Sequence, residues 1–404
     1  ACYLSNDTVR FYQQPHRTGS CASVLILENH FLFHLSLTHK AQKIEQQPAN
    51  IIFDCERMKY PNTGIYHYCK QLSKALIQQQ QPSSPSLTLY IPASEKQIAA
   101  QAQHSIIQKS WHKLHHPVTK KNQLWHGTYQ GSNYYPTSKQ VKKLLTIHDL
   151  NFLYDEAKGP EKIKRYLHKV QTLINRSDQL TVISEFTLQC IQEHLNIDNV
   201  PVKVIYNGCN IPNVTDGSQR PSFIETDRPY IFSIGTITKK KYFHTLPALL
   251  VGNDYNLVIA GITEDSNYLE EIKTAAKKAG VAHRVIIPGA VTESEKWWLL
   301  EHMTAFVFPS ISEGFGLPVV EAMHFGKPVI LSTHTCLPEI GSNAAYYFNS
   351  FDPEEMQQTL QHALDHFNAN PQQQEIVKQR AAFFKWEDAA RQYWELYTKL
   401  LPAE

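Results

Sequence analysis

The sequence lacks several features that mark common classes of protein. No stretch approaches 18 uninterrupted apolar residues, so no transmembrane helix is expected. There is no Walker A string, no G-x-G-x-x-G fingerprint and no G-x-S-x-G elbow. The formal net charge is only +2, which argues against nucleic-acid binding as the main activity.

Cysteine is scarce and is not arranged to bind a metal. None of the seven cysteines forms a C-x-x-C pair, so a zinc site is not expected. Their odd number and scattered positions favour free thiols in a reducing compartment. No convincing signal peptide opens the chain, because the apolar run Val24 to Leu27 is short and polar residues follow it. The expected location is therefore cytoplasmic.

Length and composition indicate a soluble globular protein with more than one domain. At about 150 residues per domain, the 404 residues predict two to three domains. Hydrophobic residues make up 42% and charged residues 19% of the chain, which is typical of globular proteins. Residues 1–50 are interpreted as an N-terminal extension of unknown role. The segment 212–228 lacks periodicity and is rich in Pro, Asp, Ser and Thr, so it is interpreted as an interdomain linker.

From Ile51 onwards, short apolar runs alternate with helical patterns on both sides of this linker. The clearest apolar runs in the second half are Tyr230 to Ile234 and Ala305 to Phe308. Strands that alternate with helices indicate βαβ units and parallel sheets. The predicted fold class is therefore α/β, with two Rossmann-like doubly wound domains at 51–225 and 226–385. A final helix at 386–404 is expected to cross back to the first domain. Residues 94–111 are also predicted to be helical.

The stretch 306–326, FVFPSISEGFGLPVVEAMHFG, carries the most chemical information. A buried strand ends there, a glycine loop with Glu313, Gly314 and Gly316 follows, and Pro318 opens a helix. We place Glu321 in the first turn of that helix. The loop amides and the positive end of the helix suit an anion, while the two carboxylates suit hydroxyl groups. This combination indicates a sugar nucleotide, although the glycines alone are compatible with a plain turn.

The string E-G-F-G-L-P-x-x-E-A-M resembles the signature of the retaining GT-B glycosyltransferases of family 4, with similarity from about Ile51 to the C-terminus. The resemblance implies a nucleotide-sugar donor held mainly by the second domain. In that arrangement Glu321 binds the ribose hydroxyls and Glu313 lies near the donor sugar. The backbone amides of Phe315, Gly316 and Leu317 would contact the sugar or the phosphates.

A lysine run follows the first strand of the second half, in the string Gly235 to Lys241, GTITKKK. Cations at the end of a strand can stabilise the charge of a leaving diphosphate. The alternative is a solvated basic turn. In the resembling family Lys241 matches a lysine, whereas Lys240 replaces the usual arginine and lacks its bidentate fork. Because the sequence contains no D-x-D string, we expect no metal and no cofactor, with the lysines supplying the positive charge.

Two sites in the first half complete the candidate set. The pair His148-Asp149 ends a predicted strand, and the resemblance places it opposite the reaction centre, with His148 contacting the donor sugar or the acceptor. The string Asn62-Thr63-Gly64-Ile65 resembles the family's glycine loop that reaches the donor phosphate or the acceptor. Only Gly64 matches it, and a plain helix start is the alternative.

The sequence therefore predicts a metal-independent hexosyltransferase that acts on a glycan or lipid-linked acceptor in polysaccharide or glycoconjugate synthesis. Overall likeness to mannosyltransferases favours GDP-mannose, while UDP-glucose and UDP-N-acetylglucosamine remain open. A non-catalytic GT-B-like binding subunit and a sugar-nucleotide epimerase are the alternatives. Peripheral contact with the inner face of a membrane is a further hypothesis. It rests on a basic, aromatic stretch: Lys109, Trp111, Lys113, His115, His116, Lys120 and Lys121.

Overall fold

The computed structural model describes residues 50–61, 63–120, 123–155, 158–209 and 219–401. Residues 1–49 of the predicted extension and residues 212–218 of the predicted linker therefore fall outside the described residues. Residues 47–404 form one compact unit. No helix among the described residues is both long and apolar enough to cross a bilayer.

The first sheet has seven parallel strands in the order β3-β2-β1-β4-β5-β6-β7. Its interior strands are apolar runs, as expected when both faces of a parallel sheet are covered. The order in which strands are added to the sheet reverses between β1 and β4, and doubly wound sheets bind ligands at this position. The strands are β1 Asn50–Asp54, β2 Ser86–Ile91, β3 His104–Ile107, β4 Gln123–Gly127, β5 Lys142–Ile147, β6 Gln179–Val182 and β7 Val202–Val204.

The second sheet has six parallel strands in the order β10-β9-β8-β11-β12-β13. Its direction changes between β8 and β11, so the loops after those two strands border one crevice. The strands are β8 Tyr230–Ile234, β9 Asn256–Ala260, β10 Val285–Gly289, β11 Ala305–Phe308, β12 Val329–Ser332 and β13 Tyr346–Phe348. The predicted α/β class with two Rossmann-like domains is confirmed.

Helices cover both sheets, because apolar residues on one side of each helix pack against the strands. They are α1 Gly64–Gln79, α2 Lys96–Ala99, α3 Pro160–Ile174, α4 Glu185–His194, α5 Ser266–Lys278, α6 Glu293–His302, α7 Leu317–His324, α8 Leu337–Gly341, α9 Pro353–Ala369, α10 Gln372–Ala382 and α11 Trp386–Leu400. Helix α11 packs against α1, and its apolar face belongs to the core of the first sheet.

The helix predicted over 94–111 is wrong. This segment contains the short helix α2 and then the edge strand β3, which pairs in parallel with β2. Two of the four residues of β3 are exposed and two are half-buried, so no apolar run in the sequence indicates a strand here. Backbone pairing with a neighbouring strand decides its conformation, and local sequence does not encode that pairing.

A buried polar network fastens α11 beneath the first sheet. His126 Nδ1 lies 2.6 Å from the Tyr397 hydroxyl, and His126 Nε2 lies 2.7 Å from Thr146 Oγ1. Tyr393 joins the same network through a 2.9 Å hydrogen bond to the Tyr68 hydroxyl. Burial, with a smaller contribution from His148, lowers the pKa of His126 to about 3. The histidine is therefore neutral throughout the physiological range.

This neutrality predicts a specific acid effect on stability. Unfolded His126 takes up a proton near pH 6.5 but the folded residue does not until about pH 3, so the unfolded state binds more protons in between. The free energy of unfolding therefore falls with pH below 6.5, by up to about 1.4 kcal/mol per pH unit from this residue. The variant His126→Asn is expected to be less stable at pH 7.5 because it loses both hydrogen bonds. Urea unfolding should show a smaller loss of stability relative to the native protein at pH 6 and 5 than at pH 7.5. A loss that does not change with pH would contradict the lowered pKa of His126.

Candidate functional site

The lysine loop after β8 meets the glycine loop after β11 at the crevice of the second sheet. Lys241 Nζ lies 2.5 Å from Glu313 Oε1, and the Ser310 hydroxyl donates to the same oxygen at 2.6 Å. Both charged side chains are largely buried, with 12% and 13% exposure. A Cβ at Gly235 would lie 3.2 Å from Lys241 Cε, so the glycine adjoins the lysine side chain. The structure thus brings together two residues 72 positions apart in sequence.

Backbone contacts fix the relative position of these two loops. The Ile311 amide donates to the Lys240 carbonyl at 2.9 Å, and the Ser310 hydroxyl oxygen lies 3.2 Å from the same carbonyl oxygen. The Lys240 side chain itself is exposed. The Glu313 amide donates to Thr335 Oγ1 at 3.2 Å. These bonds hold a cation and a carboxylate in one place, while a second cation remains accessible to solvent.

The start of α7 supplies backbone donors beside this pair. Gly316 caps the helix with φ of +88°, a left-handed conformation that glycine adopts without strain. No side chain caps the helix, and among its first amides that of Val319 donates to the Gly316 carbonyl at 2.9 Å. Pro318 stands at the second helical position, and Phe315 is buried beneath the loop. This end of α7 has the polarity that favours an anion.

Glu321 lies in the second turn of α7, so its predicted place in the first turn is wrong. It is 6% exposed, and its Oε1 lies 3.2 Å from Lys296 Nζ. Lys296 also pairs with Glu293 at 3.0 Å. Burial raises the pKa of Glu321 above its usual value, and Lys296 opposes the rise. Burial also acts to lower the pKa of Lys296, but the two carboxylates outweigh it and the net shift is upward.

Lys296 was not predicted from the sequence. It lies on α6, outside every motif, and reaches Glu321 on α7, a helix that shares a hydrophobic cluster with α6. The capping box of Thr292 and Glu295 could have located the start of α6. It could not have shown which face of the helix meets the site.

His148 is buried after β5, and its ring nitrogen Nε2 lies 2.8 Å from the carbonyl oxygen of Thr128. A carbonyl oxygen only accepts, so Nε2 carries the hydrogen and Nδ1 is left as an acceptor. Burial, against the opposing effect of this hydrogen bond, lowers the pKa of His148 to about 4. The imidazole is therefore neutral at physiological pH. It can accept a hydrogen bond from a hydroxyl group but cannot serve as a cation.

Asp149, on the first domain, is affected by charged side chains of the second domain. Burial raises the pKa of its carboxyl group, while Lys240 lowers it and Glu313 raises it. Gln130 holds the adjacent backbone, because its Nε2 donates to the Asp149 carbonyl at 2.8 Å. The His148 amide donates to Gln130 Oε1 at 3.2 Å. The predicted His-Asp pair and the predicted lysine loop thus share one electrostatic environment.

Gly314 makes a direct contact between the two domains. A Cβ at this position would overlap the carbonyl oxygen of His148 and would lie 3.1 Å from Asp149 Cβ. The Ser184 hydroxyl donates to the Gly314 carbonyl at 2.9 Å. The Thr187 hydroxyl donates to the His148 carbonyl at 3.2 Å. The carboxyl ends of the two sheets therefore face each other at this glycine.

Replacing Gly314 by alanine is expected to force these loops apart. Overpacking of this kind costs about 1–3 kcal/mol, and the displacement would also separate Asp149 from the lysine loop. Calorimetry should show a lower Tm for Gly314→Ala. The matched control is Gly159→Ala, because no neighbouring atom lies within 4 Å of a Cβ there and φ is −64°. Equal Tm values for the two variants would show that the contact is not tight.

Glu339 is a second interdomain contact that the sequence did not indicate. Its carboxylate accepts from the Glu185 amide at 2.7 Å and from the Phe186 amide at 3.0 Å. These amides open helix α4, so a carboxylate of the second domain caps a helix of the first. This bond and the Ser184 bond fix the orientation in which the two crevices meet.

Gly64 is the exposed first residue of α1, and no neighbouring atom lies within 4 Å of a Cβ placed there. Thr63 caps this helix by accepting from the Tyr66 amide at 3.3 Å. The five described cysteines are buried free thiols. Within the described ranges, no group of three or more His, Cys, Asp or Glu side chains is arranged to hold a metal ion.

Comparison with known proteins identifies two family models along the chain. The model described as "Glycosyltransferase Family 4" matches residues 123–211, and the model described as "Glycosyl transferases group 1" matches residues 215–382. The second match contains the lysine loop, the glycine loop and helices α6 and α7. The first contains His148 and Asp149.

The chain is also similar to individual curated proteins. It is 25% identical over 394 residues to O-antigen chain mannosyltransferase B of Escherichia coli, covering 87% of this chain and 100% of that protein. It is 25% identical over 219 residues to O-antigen chain mannosyltransferase RfbU of Salmonella typhimurium. That alignment covers 54% of this chain and 59% of RfbU, so this chain spans less than two thirds of that relative.

Solved structures share the fold. Sucrose-phosphate synthase from Thermosynechococcus elongatus superposes with a TM-score of 0.66 at 17% identity, covering 87% of this chain and 99% of that one. Anabaena Alr3699/HepE, solved in complex with UDP and glucose, superposes with a TM-score of 0.64 at 15% identity. That match covers 87% of this chain and 100% of the other.

Proposed function

Because this chain belongs to the group 1 glycosyltransferases of family 4, with the GT-B architecture, we propose that it is a retaining hexosyltransferase. It transfers a hexose from a nucleotide diphosphate sugar to a glycan or lipid-linked acceptor. The observation that carries the proposal is the pairing of both motif carboxylates with buried lysines. Glu313 pairs with Lys241, and Glu321 pairs with Lys296. Glu313 lies just before the start of α7, and Glu321 lies in its second turn. Carboxylates, cations and free amides are the groups that a sugar nucleotide requires.

In this proposal each part of the donor has its own partner. Lys241 and Lys240 bind the diphosphate, and the amides of residues 315–317 add uncharged donors. Glu321 accepts hydrogen bonds from the ribose hydroxyls. The donor sugar lies between Glu313 and His148, whose neutral ring offers Nδ1 as an acceptor. The diphosphate competes with Glu313 for Lys241, so donor binding exchanges one anionic partner of the lysine for another.

The chemical step depends on charge stabilisation and positioning. As the glycosidic bond breaks, negative charge grows on the diphosphate, and Lys241 and Lys240 stabilise it. The acceptor hydroxyl attacks from the face that the diphosphate leaves, and a phosphate oxygen takes up its proton. The two domains hold both reactants together, which lowers the entropic part of the barrier. We propose that protein cations perform the charge role, with no metal ion and no cofactor.

Mannose is the proposed sugar, with GDP-mannose as donor, because the two curated relatives are named as mannosyltransferases. Their names also support a role in O-antigen polysaccharide synthesis. The five buried free thiols suit the reducing conditions of the cytoplasm, where we place the reaction.

Slow donor hydrolysis by the purified protein tests this proposal. We expect GDP-mannose to be hydrolysed faster than UDP-glucose and UDP-N-acetylglucosamine when each is incubated without acceptor. Preference for a UDP-sugar would overturn the choice of donor. Absence of nucleotide-sugar binding in calorimetry would instead favour a non-catalytic subunit, and conversion of the sugar without acceptor would indicate an epimerase.

We also propose that the first domain touches an anionic membrane surface through the segment 109–114. Trp111 is 54% exposed and Leu114 is 85% exposed, and they alternate with Lys109 and Lys113. Apolar side chains flanked by lysines suit a surface of anionic headgroups. Flotation with anionic liposomes should weaken as salt rises and should be reduced further in Leu114→Ser. Flotation that salt does not change would reject the electrostatic attraction.

A further inference from the structure

A second crevice is expected at the carboxyl ends of β1 and β4, where the strand order of the first sheet reverses. Arg57 lies in the 3₁₀-helix Glu56–Lys59 that follows β1. The guanidinium carbon lies 4.4 Å from the ring centre of Tyr60 and 4.3 Å from that of Tyr129. Ligands of doubly wound sheets bind at this position in the topology. The donor site proposed above occupies the equivalent position in the second sheet.

Arg57 forms no ion pair with any residue that the structure describes, although it acts electrostatically to lower the pKa of the buried Asp54 carboxyl, against the larger effect of burial. Its Nε is buried without a hydrogen-bond partner. The two nearby acids are engaged elsewhere, because Glu56 pairs with Lys59 and the Asp54 carboxylate accepts from the Glu56 amide at 2.9 Å. Buried polar groups in proteins are nearly always hydrogen-bonded, so this guanidinium nitrogen is a candidate donor to a ligand.

A row of cations and rings leads from Arg57 to the protein surface. Lys59 Nζ lies 5.0 Å from the ring centre of Tyr60 and 5.8 Å from that of Tyr134. Lys113 Nζ lies 5.4 Å from the same Tyr134 ring. Lys113 belongs to the segment 109–114, which exposes Trp111 and Leu114. The rings of Tyr60 and Tyr134 thus connect Arg57 with Lys113 beside an exposed apolar patch, while Lys59 is paired with Glu56.

The same crevice adjoins the reaction centre. Tyr129, which contacts Arg57, precedes Gln130, and Gln130 holds the backbone of His148 and Asp149. Arg57 acts electrostatically to lower the pKa of His148, although burial contributes more. A group bound at Arg57 would thus lie on the first-domain side of the place where the acceptor hydroxyl must attack.

We infer that Arg57 binds a phosphate group of the acceptor, with Lys113 as a second cation further out. This inference rests on the proposed function and names the class of acceptor as a phosphate-bearing, lipid-linked glycan. A guanidinium group presents a planar pair of donors that matches two phosphate oxygens. The donor's own diphosphate is assigned to Lys240 and Lys241, so Arg57 is available for a phosphate group of the acceptor. The lipid part of the bound acceptor would extend from Arg57 along Trp111 and Leu114.

The test compares two acceptors of the same glycan, one linked to a short water-soluble alkyl diphosphate and one without phosphate. In Arg57→Gln, the KM for the diphosphate acceptor should rise by about tenfold or more, the effect of losing a charge-assisted pair. The KM for the phosphate-free acceptor should change less than twofold. Arg57→Lys keeps the charge but lacks the planar pair of donors. Its KM for the diphosphate acceptor should therefore lie between those of the native protein and Arg57→Gln. The exposed Arg176→Gln is the matched control.

Each other outcome has a definite meaning. Equal losses with both acceptors would overturn the inference and assign Arg57 a structural role, as would a KM that does not change. An effect on binding to anionic vesicles without an effect on the soluble acceptor would assign Arg57 to membrane headgroups, which also overturns it. Donor hydrolysis without acceptor is read in parallel. If the protein hydrolyses no donor at all, the proposed function fails independently of Arg57.

Discussion

Replacing Lys241 by alanine is expected to lower kcat/KM for the donor by roughly 10²–10³-fold, the usual loss when one stabiliser of developing negative charge is removed. The lysine is 12% exposed and contacts Glu313, so its removal also leaves a largely buried carboxylate without its cation. Donor binding should weaken as well, because an uncompensated carboxylate would repel the diphosphate. Slow donor hydrolysis should then be abolished.

The double variant Lys241→Ala, Glu313→Gln separates the loss of charge stabilisation from the repulsion of the diphosphate by Glu313. If repulsion by Glu313 caused the loss, removing its charge should restore donor affinity while kcat stays low. Lys277→Ala is the control, because that lysine is exposed on α5 in the same domain. Hydrolysis at the full rate in Lys241→Ala would remove this lysine from the mechanism.

Replacing Glu321 by glutamine is expected to raise the Kd for the nucleotide diphosphate by roughly 10–100-fold, because the ribose hydroxyls lose a charged acceptor. The sharper measurement uses a donor that lacks one ribose hydroxyl. The native protein should bind the ribose form at least about tenfold more tightly than the deoxy form, whereas Glu321→Gln should bind the two almost equally. Calorimetry on both proteins with both ligands completes the cycle.

Glu293→Gln is the matched control, since Glu293 is the other carboxylate that contacts Lys296. It is 65% exposed and lies on α6, so its loss perturbs the lysine without removing the predicted ribose acceptor. This control should keep the preference for the ribose form. If Glu321→Gln keeps it too, the ribose lies elsewhere and the donor orientation proposed here is wrong.

Some of these features could be predicted from the sequence because they are local. Strands β8 and β11 were predicted at the bounds that the structure shows, and helix α11 begins at its predicted first residue, Trp386. Strands that are buried on both faces read as apolar runs, and the final helix repeats its apolar residues at helical spacing. The spacing of Glu313 and Glu321 likewise follows from one loop and one helix. Edge strand β3 has neither signal, and a helix was predicted in its place.

The site itself was only partly predictable. The motif residues Lys241, Glu313, Glu321 and His148 were recognised individually, but nothing in the sequence paired Lys241 with Glu313. Lys296 and Glu339 escaped notice because each acts on an element far from its own segment. The expectation that His148 contacts a sugar stays a prediction. The structure adds that its ring is neutral and that Nε2 is already bound to a carbonyl.

The sequence by itself determined the alternation of strands and helices, the two-domain α/β class and the residue types of the candidate site. The pattern of apolar residues encodes these properties over a few turns of chain. The tertiary structure alone decided which charges pair and where the two sheets meet. Those contacts join positions that only the packing of α6 on α7, and of Gly314 on His148, brings within bonding distance. Local sequence carries no record of such distances, because they depend on how separate elements pack in three dimensions.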